Sequence, residues 1–365
     1  MDNITASVIY IDEQEKIKTV IGTEESVFDA VLYVGGRAYP DEFNLDEPYD
    51  RLAHVFRIDR STLDSETPLR FSGRDIDGEP LADEFVFGSP DILDPAALAA
   101  KDDNGLTEEK TEEETIGKGV VFSHIYCTDS DGAPVHFHTL DVDMKSATLY
   151  TGTPGDGYES RNVRATIPDM AQSAEKNGQT VLAAVNADFF DIYGDFHPAG
   201  LCVKNGRIIA NPASPRPFIG VTRDGSAVLT TAAQSPDILS ELQHAVSGLQ
   251  LLLLDGELND VAAGEPFGYV RHPRTAAGVR ADGSVLIAEV DGRIPDYSNG
   301  ASLTDLALFM KKHGCVRALN LDGGGSSAVY TRDGELKLRT IPADLFRPFD
   351  KLIREDFNCL LITRR

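Results

Sequence analysis

Asp322 stands at the head of three glycines and two serines, Gly323, Gly324, Gly325, Ser326 and Ser327, directly after the apolar run CVRALNL. A carboxylate, two hydroxyls and a permissive backbone in one turn suit convergence of oxygen ligands and N–H groups on a phosphate, sulfate or sugar oxygen. A sharp hairpin turn would use the same glycines, so the stretch needs company. A second polar group lies in VNADFFDIYGDFHPAG, where Asn186 and Asp188 are followed by Tyr193 and His197. Asp188 suits proton transfer or a sugar hydroxyl, and Asn186 both donates and accepts hydrogen bonds. Tyr193 offers an aromatic face for a sugar. Turn capping is the competing role for Asn186 and Asp188, and loop pinning for His197.

Arg274, in YVRHPRTAAGV, brings a guanidinium whose paired donors match two phosphate oxygens. A structural ion pair is its alternative. EVDGRIPDYSNG adds Asp291, Arg293 and Tyr297 just past a strand-like run, and Asp291 and Arg293 are expected in the same cleft as Asp322. His136 and His138 share a strand face, but no nearby Cys or His completes a zinc spacing, so cross-strand polar contacts are the reading. Asp and carbonyl oxygens are hard donors suited to Ca or Mg, yet no EF-hand spacing is present and no cofactor is required. GxSxG, GxxxxGK[ST] and HExxH are all absent, which removes the nucleophile elbow, the P-loop and the zinc-protease helix.

These residues need elements to carry them. TVLAAVNADFF reads as a buried strand delivering Asn186 and Asp188 to its far end. DMAQSAEKNG reads as a helix stopped at Asn177 and Gly178, and SPDILSELQHAVSG as a second helix ended by Gly248. A third helix starts at Ser302, with Asp305 three residues on, and stops at Gly314. Three Asp-Gly turns, in PFIGVTRDGSAVLT, RTAAGVRADGSVLIAEV and SAVYTRDGELKLR, predict hairpins. VVFSHIYC and PVHFHTLDVDM alternate as strands, and FNCLLITRR returns the chain to the central sheet.

Residues 101–117, KDDNGLTEEKTEEETIG, are acidic and poor in large apolar side chains, and read as a linker between a β-rich accessory domain over 1–100 and a domain over 118–365. DPAALAA, before it, predicts one helical turn. The net charge of −25, from 59 acidic and 34 basic residues, makes nucleic acid and anionic membrane poor partners, while a local basic pocket could still bind one phosphate. Four scattered cysteines read as buried free thiols. No run reaches the ~18 apolar residues of a membrane helix. MDNITASVIYIDEQ lacks a leader pattern, so the expectation is cytoplasmic, or secreted if a leader was removed.

Residues 118–365 resemble the phosphodiester glycosidase family through several motifs in order: DVDM, VNADFFDIYG with HPAG, HPRTAAGVRADGSVLIAEVDGR, and YSNGASLTDLALFMKKHGCVRALNLDGGGSSAV. The resemblance implies an α+β fold, a mixed β-sheet flanked by helices, with an active cleft at the loops between strands. It also implies hydrolysis of the bond between a sugar anomeric carbon and a phosphodiester oxygen. Its matching polar positions are Asp143, Asn186, Arg274, Asp291, Asp322 and Ser327, with the three glycines shaping the pocket and Arg293 and Tyr297 at the periphery. On this reading Arg274 and the N–H groups of Gly324 and Gly325 stabilise the phosphate. Asp322 or Asp188 positions water, and Asn186 and Asp291 hold sugar hydroxyls. RTIPADLFRPFDKLIREDF departs from the family pattern, so the substrate wall is expected to differ. Metal-assisted P–O cleavage and saccharide binding without turnover are the alternatives.

Overall fold

The computed structural model describes residues 4–11, 16–23, 27–41, 53–59, 62, 68–75, 77–86, 106–129, 132–191, 194–259, 271–294, 297–341 and 353–365. The chain divides into two compact units, one built on residues 1–103 and the other on residues 104–263 with 271–365. Among the described residues the first unit carries β1 (Ile4–Ile11), β2 (Lys16–Thr23), β3 (Phe28–Val34), β4 (Arg37–Pro40), β5 (Ala53–Asp59), β6 (Pro68–Arg74) and β7 (Pro80–Val86). They form antiparallel sheets in the orders β1-β2-β5 and β4-β3-β6-β7. Leu32, Phe56, Ile58, Leu69 and Phe71 close its core. The helical turn expected in DPAALAA lies outside the described residues.

The second unit begins with β8 (Thr107–Gly117), β9 (Val120–Thr128), β10 (Pro134–Val142), β11 (Ala147–Gly152), α1 (Ile167–Lys176) and β12 (Val181–Asn186). β13 (Cys202–Lys204), β14 (Arg207–Ala210), β15 (Pro217–Thr222), β16 (Ala227–Thr231) and β17 (Leu242–Ser247) follow. Next come β18 (Leu251–Leu254), β19 (Glu257–Leu258), β20 (Arg274–Arg280), β21 (Val285–Val290) and α2 (Leu303–Lys312). β22 (Cys315–Asn320), β23 (Val329–Asp333), β24 (Glu335–Leu338) and β25 (Cys359–Arg364) complete it. The sheet orders are β19-β18-β22-β20-β21-β10-β9-β8, β11-β25-β12-β23-β24 and β14-β13-β17-β15-β16. This is the mixed α+β class that the family resemblance implies.

Strand alternation assigns each face. On β10, Leu140 and Val142 join Ile287 of β21, Val185 of β12, Ile219 of β15 and Leu360 of β25 in the central core shared by the three sheets. Val135 and Phe137 point the other way, where Phe137 stacks on Phe309 of α2 at 3.9 Å between ring centres. α2 starts where Ser302 accepts the Asp305 backbone N–H and Asp305 accepts that of Ser302. Thr166 caps α1 through the Asp169 N–H, and α1 covers the far face of the second sheet with Met170, Ala171 and Ala174. The three Asp-Gly hairpins form as β15-β16, β20-β21 and β23-β24. All four cysteines are buried and free. No helix among the described residues is long and apolar enough to cross a membrane.

Two expectations change. Residues 107–117 are an edge strand pairing with β9, not linker. Their charge fits that place, because an edge strand with one partner and mostly exposed side chains is protected from further pairing by charge. SPDILSELQHAVSG is not a helix: Pro236–Ser240 make a short 3₁₀ turn and Leu242–Ser247 become β17. That strand's N–H and C=O groups are taken by β13 and β15 on either side. A short apolar run satisfies both periods, and the two neighbouring strands decide for β.

Candidate active site

β12 ends at Asn186, and its next residues carry the chain into the site. Asn186 Nδ2 donates to the Asp322 carbonyl at 2.6 Å, while its Oδ1 accepts from Thr275 Oγ1 at 2.9 Å and from the Ala328 N–H. One fully buried amide thereby fixes the turn that follows β22 to β12 and β20. The Asp322 N–H adds a bond to the Ala187 carbonyl. Asp322 Oδ1 accepts the N–H of Gly323, and Gly324 N–H reaches Pro273 O. Gly323 has no room for a side chain, since a Cβ there would meet that same carbonyl at 2.7 Å. Gly324 sits at φ +63 with the Arg293 guanidinium close to where its Cβ would stand. Ser326 and Ser327 follow, both buried, with the Arg354 guanidinium at 3.5 Å from Ser326 Oγ.

Asp188 is buried to 2 % exposure. Its Oδ1 accepts the Ser247 N–H from the end of β17 at 2.5 Å, and its own N–H donates to Asn358 Oδ1 before β25. Oδ2 is buried without a hydrogen bond. Burial raises its pKa to about 8, against the smaller pull of the Ser247 N–H, Asn358 and Arg216, with Asp322 adding to the rise. The carboxyl therefore keeps its proton at neutral pH. The residues that follow Asp188 in the chain, Phe189, Phe190 and Asp191, wall an open cleft of about 630 Å³ together with Asp195, His197, Asn211 and Arg216. His197 is a pin in this wall, with Nδ1 at 3.0 Å from Ser160 O and Nε2 at 3.1 Å from Asn211 Oδ1. Tyr193 lies outside the described residues.

A second polar group sits on the inner face of the eight-stranded sheet. His138 and Glu289 are direct cross-strand partners, and Thr275 faces Glu289 from β20. His138 Nε2 is 2.9 Å from Asp291 Oδ2, which also accepts from Tyr297 OH; Asp291 Oδ1 accepts the Ile341 N–H. Both Glu289 oxygens and His138 Nδ1 are buried without hydrogen-bond partners. Burial, then Asp291, push the Glu289 carboxyl well above the usual range. His138, Glu289 and Asp291 bring ligand atoms within 4.8 Å of one another. One imidazole and two carboxylates fit a divalent cation, and the unpartnered atoms are those that a cation would satisfy.

The sequence-selected residues thus fall into separate places. Asn186, Asp188, Asp322 and the glycine turn come together, and Arg293 reaches that turn, with its Nε 3.3 Å from His272 Nδ1. Asp291 and Tyr297 belong to the His138 group. Arg274 is turned to the other face of β20, where its Nε donates to Ala301 O at the start of α2; burial, then Arg293, lower its pKa to about 9. Alternation explains this, because Thr275 takes the inner face and its neighbour must take the outer. Asp143 is at the opposite end of the sheet: β10 pairs Val142 with Val285 and Phe137 with Val290, so six residues of β21 separate it from Asp291. It binds the Lys145 N–H and Ser146 Oγ of its own turn. Arg216, Ser247 and Asn358 are the neighbours that sequence spacing passed over, while Glu289 lies in the same polar run as Asp291. Arg216 alone carried a local sign, a cation held between Pro215 and Pro217 where backbone freedom is small.

A family model described as phosphodiester glycosidase matches residues 179–362, half of the chain, and spans both polar groups except His138. The chain belongs to the phosphodiester glycosidase family. The mouse N-acetylglucosamine-1-phosphodiester alpha-N-acetylglucosaminidase is 27 % identical over 223 residues, covering 56 % of this chain and 41 % of the mouse protein. The bovine protein of the same name is 29 % identical over 224 residues, 56 % of this chain and 38 % of the bovine one. The chain thus spans about two-fifths of the length of these relatives. The zebrafish catalytic domain of that name superposes with a TM-score of 0.54 at 24 % identity, over 71 % of this chain and 89 % of its own, and shares the fold. A hypothetical protein from Synechocystis gives 0.52 at 12 % identity, over 99 % and 81 %.

Proposed function

We propose that this chain hydrolyses a sugar joined through its anomeric carbon to a phosphodiester. The observation that carries the reading is the buried carboxyl of Asp188, placed beside Arg216 and backed by the Asn186-fixed Asp322 turn, within the stretch matched by the family. A carboxyl that stays protonated at neutral pH is suited to give a proton to a leaving oxygen. Asp322, half-buried, is suited to orient water. Asn186 acts through Asp322 as a positioning residue, since all its polar atoms are used on the protein. In C–O cleavage, water adds to the anomeric carbon, the C–O bond breaks, and its electron pair leaves on the phosphate oxygen. The products are the free sugar and a phosphomonoester.

A second reading, P–O cleavage assisted by a metal, has a specific constellation in its favour: the three ligand side chains His138, Glu289 and Asp291 with unpartnered buried atoms among them. A divalent cation there would supply charge neutralisation for phosphate. This chain's own residues would hold it, with Tyr297 and the Ile341 N–H orienting Asp291. Turnover of an N-acetylglucosamine-1-phosphodiester in ¹⁸O-water tests both. Label on the sugar means C–O cleavage, and label on phosphate means P–O cleavage. Loss of activity in EDTA, restoration by Ca²⁺, Mg²⁺ or Mn²⁺, and a Tm rise with metal that Glu289→Gln abolishes would support the metal site. No hydrolysis of any sugar phosphodiester would defeat the proposal as a whole.

A further inference from the structure

We propose that Arg216 is the phosphate-recognising residue of this site, holding the charged group of the diester in the cleft walled by Phe189, His197 and Asn211. The inference deepens the hydrolase reading and rests on it for the identity of the ligand, while remaining independent of which bond is cut.

Other polar side chains of the cleft are engaged within the protein. Arg161 is paired with Asp195. Both ring nitrogens of His197 are engaged, and Asn211 Nδ2 donates to the Pro198 and Gly200 carbonyls. Arg216 differs. Among the described residues its guanidinium donates no hydrogen bond to any protein group; its backbone N–H reaches Ser214 Oγ, and its side chain lies 5.9 Å over the Phe189 ring. A half-buried cation with five unused donors on the wall of an open cleft suits an anion, because a guanidinium matches two phosphate oxygens at once.

Its place is also fixed. Pro215 and Pro217 restrict the backbone on either side, and β15 begins at Pro217. Gly200 packs beside it: a Cβ at that position would collide with Ser247 at 2.2 Å and would stand in ordinary contact, 3.6 Å, with Arg216 Cδ. The neighbouring Asp188 makes no hydrogen bond to the Arg216 guanidinium; its Oδ1 accepts the Ser247 N–H, which leaves the guanidinium donors open to a ligand. Burial depresses the Arg216 pKa, with the Asp188 carboxylate opposing. Arg274, the arginine first matched to phosphate, faces α2 instead.

The test is equilibrium binding of methyl phosphate and inorganic phosphate to the full chain by calorimetry, with N-acetylglucosamine as the uncharged control. Arg216→Ala and Arg216→Gln are expected to weaken both anions by about 10- to 100-fold. Arg216→Lys should retain part of the affinity, and the sugar should bind all four proteins alike. Unchanged phosphate affinity in the Gln variant, at wild-type Tm, overturns the assignment, as does a wild-type chain that binds neither anion at millimolar concentration. Turnover separates the two levels. Arg216-dependent phosphate binding without hydrolysis removes the hydrolase reading and leaves the anion site standing. Hydrolysis with a KM untouched by Arg216→Gln removes the anion site and leaves the hydrolase reading.

Discussion

Asp188 shows how burial gives one carboxyl a chemistry that its neighbours lack. Its pKa near 8 compares with the usual 3.8, and the rise comes first from burial. Below about pH 4 folded and unfolded chains both hold the proton, and the contribution is fully present; as pH climbs to about 8 only the folded chain holds it, and stability falls by up to ~1.4 kcal/mol per unit. Asp188→Asn copies the protonated shape and does not ionise. Its Tm relative to wild type should therefore be higher at pH 8 than at pH 5, and equal differences at the two pH values would count against a buried, proton-holding Asp188. In turnover, an acid role predicts a wild-type rate that declines above about pH 8, and a base role a rate that climbs through the same range. Asp322 is half-buried on a turn, and the Gly323 N–H already occupies one of its oxygens.

The elements that carry these residues were largely readable from spacing. α1 and α2 start and stop where their caps and glycines say, because capping is settled within one turn of chain. Ser302→Ala should cost about 1 kcal/mol in denaturant unfolding while leaving phosphate affinity unchanged, since the cap holds α2 and the cleft is built elsewhere. A loss of phosphate affinity equal to that of Arg216→Gln would show that α2 and the cleft are coupled. β8 and β17 were misread for opposite reasons. The charges of β8 resemble a linker until β9 is beside it, and the apolar side of SPDILSELQHAVSG resembles a helix until β13 and β15 claim its backbone. For β8 the partner is the next strand, joined through a tight turn; for β17 the partners lie tens of residues back, and in both strand pairing outweighs local preference.

At the scale of the whole molecule, a chain with a net charge of −25 carries a cleft proposed to admit an anion. Repulsion at long range should slow encounter, so kcat/KM for a phosphodiester is expected to rise several-fold between about 20 and about 200 mM salt, as the screening length shrinks, with kcat nearly constant. A kcat/KM that falls with salt would point to a positive surface guiding the substrate. The sequence alone determined the α+β class, the hairpins and capped helices, the family, and the stretches that hold Asn186, Asp188 and Asp322, all of which depend on contacts or motifs along short runs of chain. Only the tertiary structure decided that Arg274 faces α2, that Asp143 stands at the wrong end of β10, and that Arg216, Ser247 and Asn358 gather around Asp188. The reason is physical: which face a strand residue takes, and how far a carboxyl is removed from water, depend on neighbours tens to hundreds of residues away, and local spacing does not record them.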